Sequence, residues 1–135
     1  MLKTILLMGA CFMALPTMAA NTTPVGSCAN GGGAVYLGKD GTRYCISHNN
    51  MNWWSAFAWC DAAGGRLIST QDCNGTSGNV TGTTRCPNFE TIFLNSVFVW
   101  TSTISDANSG YSIALYYDFV PSQNRRTKHR AMCKF

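Results

Sequence analysis

Six cysteines, Cys28, Cys45, Cys60, Cys73, Cys86 and Cys133, are the side chains of this chain best equipped for chemistry. Thiols can ligate a metal, attack an electrophile or oxidise in pairs. No C-x-x-C pair occurs and the only histidines are His48 and His129, whereas zinc sites are built from closely spaced cysteines and histidines. A nucleophilic cysteine needs a free thiolate beside a histidine. An even number of cysteines behind an export signal reads instead as a disulfide framework. That reading needs neither metal nor cofactor.

Acid–base chemistry has little to work with. Glu90 is the only glutamate among six acids. A glycosidase sets two carboxylates about one bond, and Glu90 has no evident partner. No G-x-S-x-G stretch occurs; a Ser-His-Asp arrangement stays open, because serines and aspartates are plentiful. His48 precedes a helix, where capping or solvation is expected, and His129 falls in a basic strand expected at the surface. Calcium takes about six oxygen ligands. The turn carrying Asp106, Asn108 and Gly110 offers a few, but no glutamate follows at the spacing of a calcium loop. Neither an enzyme nor a metal site is expected.

Residues 1–20, MLKTILLMGACFMALPTMAA, carry Lys3, an apolar run, then Pro16 and small residues up to Ala19 and Ala20. This is the order of a secretory signal peptide, and its apolar run falls short of the roughly 20 residues that span a bilayer. Cleavage after Ala19 or Ala20 leaves 21–135 as a single domain in the periplasm, on the cell surface or in the medium. A second reading takes M-G-A-C as a lipoprotein box with Cys11 lipidated, although Met8 stands where leucine is usual. Asn-x-Thr triplets at Asn21, Asn74 and Asn79 are glycosylation acceptors only in a eukaryotic secretory pathway.

Ten Lys and Arg against six acids give a net charge of +4. Much of it gathers in QNRRTKHRAMCKF, which holds Arg125, Arg126, Lys128, His129, Arg130 and Lys134. Such a patch can meet nucleic acid, acidic glycans or anionic membrane. Without interleaved aromatics it lacks the stacking groups for single-stranded nucleic acid, which is not an expected partner. A solvated edge strand guarded by positive charge is the simpler account.

The elements that must position these residues read as follows. NTTPVGSCANGGG is a loose lead-in, tied down only by Cys28. AVYLGKDGTRYCIS has two β-prone runs around Asp40-Gly41, a hairpin signal. Residues 52–63 form a helix, with Asn52 as N-cap and Gly64 as its stop. RLIST is a short extended segment, and 71–88 a polar loop whose ends carry Cys73 and Cys86. A bridge between those two contributes roughly 3 kcal/mol in the chain-entropy model. NFETIFLNS suggests a short second helix. VFVWTST, YSIALYYDF and RTKHRAMCKF read as strands. Within the first helix, Trp53, Ala56, Cys60 and Ala63 fall on one face, leaving Trp54 and Trp59 off the buried stripe as cover for a second layer or as a contact surface. Cys60 then reaches for another element, and the strand carrying Cys133 is the natural candidate.

Trp53-x-x-Ala56-x-x-x-Cys60-x-x-x-Gly64-Gly65-x-Leu67 resembles the first-helix motif of the C-type lectin-like domain. VWTST, with Trp100, looks like that family's core strand, and AMCKF like its closing strand. The resemblance covers residues 28–135. It implies an α+β fold, two short helices packed on small antiparallel sheets, with Cys60 bridged to Cys133. It also implies a Cys28–Cys45 bridge, similar to the extra hairpin disulfide of longer members; the family's usual cysteine pair on the later strands is missing, and Cys73 and Cys86 at the ends of the 71–88 loop stand in its place. The calcium-binding Glu-Pro-Asn, Gln-Pro-Asp and Trp-Asn-Asp motifs do not occur, so the resemblance speaks for the scaffold more than for calcium-dependent sugar binding.

The function expected is a secreted or cell-surface recognition module, binding a glycan or protein partner without calcium, as in adhesion. Tyr111, Tyr116, Tyr117, Asn124, Arg125 and Arg126 are candidate contacts, because aromatic and arginine side chains anchor interfaces; alternating core and surface packing serves the tyrosines equally well. The alternative is a structural or assembly subunit of an envelope or surface appendage with no small ligand.

Overall fold

The computed structural model of the protein describes residues 21–74, 86–115 and 119–135. The expected leader, with Cys11, and Asn79 lie outside the described residues. In chain order the elements are β1 (Gly26–Ser27), β2 (Gly33–Leu37), β3 (Arg43–Met51), α1 (Trp53–Ala62), β4 (Arg66–Leu67), α2 (Thr70–Asn74), a 3-10 turn (Pro87–Phe89), β5 (Phe98–Asp106), β6 (Ser109–Ala114), β7 (Ser122–Asn124) and β8 (His129–Lys134).

These elements correct the expected α+β architecture of helices on small sheets. The described residues are 44% strand and 17% helical, and their strands form a single eight-stranded sheet, so the described fold is mostly β. The order is β1-β2-β3-β8-β5-β6-β7, with β4 also on β8. The cause lies in β8, which pairs antiparallel with β3 and β4 and parallel with β5. It joins two hairpin systems that would otherwise be separate small sheets.

The two faces of the sheet bury different sets of side chains, as the two-residue alternation of strands dictates. One register row reads Val35, Cys45, Cys133, Leu67 across β2, β3, β8 and β4. These residues pack under α1 with Trp53, Ala56, Cys60, Trp100 and Ala131. The adjacent row, Ala34, Ile46 and Met132, faces the other way, onto Phe89, Ile92, Leu94 and Ile113. Each large apolar side chain so buried contributes roughly 1.5–3 kcal/mol.

Helix α1 begins where the Asn52 side chain accepts from the Ser55 N–H at 2.9 Å. It ends at Gly64, whose φ of +85° suits glycine. Gly65 is needed for a different reason: a Cβ there would stand 2.6 Å from the Lys134 carbonyl of β8. The double glycine therefore both stops the helix and lets the chain lie against the central strand.

The second helix is not at 88–96. There Phe89, Ile92 and Leu94 turn inward while Thr91, Phe93 and Asn95 face out, and the backbone is taken by the segment at 21–22. Thr22 N–H donates to the Phe93 carbonyl at 2.9 Å, Phe93 N–H to Thr22 Oγ1 at 2.8 Å and Asn95 N–H to Asn21 Oδ1 at 2.8 Å. The lead-in is thus held by more than Cys28. Helix α2 forms instead at Thr70–Asn74, where Asp72 Oδ2 accepts from the Ser69 N–H at 2.8 Å, one half of a capping box. Burial opposes the Asp72 charge, but the Arg66 guanidinium at 2.9 Å, the Ser69 N–H and Lys134 at 3.4 Å outweigh it and hold the carboxyl below its usual range.

Three disulfides join Cys28 to Cys45, Cys60 to Cys133 and Cys73 to Cys86, with Cα–Cα distances of 5.7, 5.4 and 4.8 Å. The second spans 73 residues and the third 13. Replacing Cys60 and Cys133 together by alanine is expected to cost about 4 kcal/mol, against about 3 kcal/mol for the Cys73/Cys86 pair. Urea unfolding of the two double variants checks the ranking; equal midpoints would contradict it.

Candidate functional site

Where α1 leaves Asn52, its first residue is a buried pivot. Trp53 is 8% exposed. Its Nε1–H donates to the Thr101 carbonyl of β5 at 2.9 Å, and its backbone N–H donates to the Arg125 carbonyl at 2.9 Å. Gly110 of β6 lies beneath it, so close that a Cβ would come within 2.9 Å of the indole nitrogen. One indole thus gathers α1, β5, β6 and the turn between β7 and β8.

Arg125 closes this corner from outside. Its guanidinium sits 4.2 Å from the Trp53 ring centroid, a cation–π contact that contributes roughly 0.5–2 kcal/mol depending on solvation. Nη2 donates to the Asp106 carbonyl at 3.1 Å, and the Arg125 backbone N–H to the Asn108 carbonyl at 2.9 Å. Arg125 Nε is buried and makes no hydrogen bond, the one such side-chain atom among the described residues. Buried donors are normally paired, so this nitrogen marks unused capacity.

Around the pivot lie side chains that the core does not use. Trp54 is 50% exposed and meets Trp53 edge-on at 5.9 Å; Phe57 is 38% exposed and meets it at 4.5 Å. Ile104 is 54% exposed and stands opposite Gly110 in the β5–β6 register, on the same side of the sheet as that glycine's missing Cβ. Behind Phe57 a depression of about 230 Å³ is lined by Asp61, Gly65, Arg66, Leu67 and Ser102. A second, of about 320 Å³, lies between Ser27, Val35, Arg43, Ala63 and Phe135.

The six residues singled out in the sequence scatter. Arg125 is in the corner. Asn124 and Arg126 share its turn, where Asn124 Oδ1 accepts from the Arg126 N–H at 2.8 Å. Tyr111 is half-buried against the core on the other face, and Tyr116 and Tyr117 lie outside the described residues. Trp54 and Phe57 were not among the six. The signal was Trp54 standing off the buried stripe of α1; Trp59, the other such tryptophan, packs on the α1-side core and against Gly32.

The remaining candidates for chemistry are engaged structurally. Asp106 Oδ1 accepts from the Asn108 N–H at 2.8 Å, so the D-A-N-S-G turn closes on itself. Among the described residues no group of three His, Cys, Asp or Glu is placed to hold a metal ion. His129 is half-buried rather than on the surface. It stacks on Phe98 at 5.1 Å, meets Trp100 at 5.0 Å and hydrogen-bonds Gln123 Oε1 through Nε2. Burial disfavours its charged form and pushes its pKa down to about 4. No protein-family model matches the chain, and no curated protein matches it.

Two outcomes follow from this geometry. Trp53→Ala is expected to destabilise the protein by about 3–5 kcal/mol, whereas Trp54→Ala stays within about 0.5 kcal/mol; thermal melting of the pair checks the contrast. His129 stays neutral in the fold but titrates near 6.5 when unfolded. Its contribution to stability is therefore intact above pH 6.5, falls by up to about 1.4 kcal/mol per unit as pH drops toward 4, and changes no further below. Asp40 and Asp72, both held below the ordinary 3.8, act below that window. His129→Phe should flatten the stability profile between pH 6.5 and 4, measured by urea midpoints; an unchanged slope would refute the assignment.

Proposed function

We propose that this protein is a secreted or cell-surface recognition module that binds a glycan or protein partner without calcium. The observation that carries the reading is the Trp53–Arg125 corner, where Trp54 and Phe57 stay exposed beside an arginine whose donors are not all used. Half-exposed aromatics that the fold does not require are costly to leave in water and suit a contact surface. Three disulfides support an oxidising compartment, and no helix among the described residues is long and apolar enough to cross a membrane. The α1 motif resembling C-type lectin-like domains favours a recognition role without requiring that family's architecture.

A second reading, an assembly subunit, draws on another region. Val25, Leu37 and Phe93 are exposed on neighbouring segments: Thr22 N–H meets the Phe93 carbonyl, Val25 N–H the Val35 carbonyl and Thr91 Oγ1 the Leu37 carbonyl. Such side chains suit a neighbouring subunit.

The test uses the purified, oxidised protein on a broad glycan panel and on envelope extracts, with calcium or with chelator. Retention that survives chelation and drops at least tenfold in Trp54→Ala supports recognition through the corner. A protein retained nowhere, whose concentration-dependent association disappears in Leu37→Ser/Phe93→Ser, would favour assembly instead.

A further inference from the structure

We propose that the corner takes an anionic saccharide, its carboxylate or sulfate held by Arg125 and a sugar ring laid on Trp54. The inference rests on the recognition reading above and narrows its ligand class.

The charge around the corner points to an anion. The turn from β7 to β8 carries Arg125, Arg126 and Lys128 with no acid among them. The described ion pairs lie elsewhere, between Lys39 and Glu90 and from Arg66 and Lys134 to Asp72. Asp106, the nearest carboxylate in the β5–β6 hairpin, holds the Asn108 N–H. Asp61 sits one turn of α1 beyond Phe57, in the depression with Arg66. Asp106 and Asp61 keep their charges, but among the described residues neither forms an ion pair with Arg125, Arg126 or Lys128, and the three cations of the turn outnumber them.

The geometry of Arg125 adds specificity. A free surface arginine loses side-chain entropy on capturing an anion. Here the guanidinium is already laid flat on Trp53, and Nη2 fixes its rotation through the Asp106 carbonyl. Its Nε–H lacks an acceptor. A planar carboxylate or a sulfate is the acceptor that spans two guanidinium N–H groups at once. An anion that meets the guanidinium edge leaves the stacking on Trp53 and the bond to the Asp106 carbonyl in place.

The saccharide part of the assignment comes from Trp54. Its indole is half exposed and meets edge-on the same Trp53 ring that Arg125 covers, so a flat apolar surface and a cation share one ring as neighbour. The C–H face of a pyranose matches such a surface while its hydroxyls remain in water. Three half-exposed apolar side chains are small beside the roughly 800 Å² that each partner buries in a stable protein interface. Stacking platforms for single-stranded nucleic acid use successive aromatics along a groove, whereas Trp54 is a single half-exposed ring set edge-on to Trp53.

The experiment titrates the intact oxidised protein, by calorimetry, with a sulfated oligosaccharide, an oligogalacturonate, dextran, single-stranded DNA and vesicles of anionic phospholipid. Binding is expected for the two acidic saccharides and not for dextran, weakening with added salt. Arg125→Gln and, independently, Trp54→Ala should each lower the affinity at least tenfold. Lys39→Gln, which removes one positive charge at a distance, should change it less than twofold. Because Trp54 is exposed, its variant keeps the fold, and matching melting curves verify this. Equal binding of DNA, vesicles and acidic saccharides, or equal losses in Lys39→Gln and Arg125→Gln, would overturn the proposal in favour of unspecific charge attraction. Binding confined to dextran or other neutral glycans would overturn the ligand class while leaving the recognition reading intact. Binding to nothing, here and on the wider panel, would remove both.

Discussion

The placement of β8 between β3 and β5 is the constraint on which the rest depends. A strand in that position must offer ladder bonds on both edges and apolar side chains on both faces. His129–Lys134 does so: Ala131 and Cys133 face α1, while Met132 faces the opposite core. The positively charged flanks of the strand disguise this role. Lys134 reaches Asp72, so one of the basic residues serves to tie β8 to the cap of α2. Cys133 lies beside Cys45 in register, yet each bonds away from the other, to α1 and to the lead-in. The bridges thus fasten helix and lead-in onto adjacent central strands instead of joining those strands, whose hydrogen bonds already hold them.

Much of the α1 region was legible because its signals are local and agree with one another. Asn52 caps, Trp53, Ala56 and Cys60 share a face, and Gly64 ends the helix. The Asp40-Gly41 hairpin was legible for the same reason. What escaped was non-local. NFETIFLNS has apolar residues that satisfy a helical spacing almost as well as an extended one, and backbone bonds to residues 21 and 22 decide the matter. The polar triplet Ser122–Asn124 shows no strand pattern because it forms an edge whose partner, β6, supplies the register. The short α2 did have a local sign, Ser69-x-x-Asp72, obscured by the glycine-rich loop after it.

The site was half legible. Arg125 stood out as one of several cations, with nothing in its spacing to show that it lies on Trp53. Tyr111 has the right chemistry for a contact, but its alternation in β6 turns it toward the core. Trp54 could be recognised only as a residue with no place in the buried stripe. Sequence pattern identifies what a core requires; contact residues emerge as the remainder, and their grouping depends on strands far apart in the chain.

The sheet order also has a consequence in time. The array β1–β3 and the hairpin β5–β6 are made from neighbours in sequence, so each can form as soon as its own residues are available. Their union waits for β8, which must enter between them, and pairings of such sequence separation are slow. Until then the inner edges of β3 and β5 are open and Cys60 has no partner in place, whereas Cys28 and Cys45 already face each other across their own local array. Oxidation therefore has a natural sequence, the two short-range bridges Cys28–Cys45 and Cys73–Cys86 first and Cys60–Cys133 as the step that locks a completed sheet.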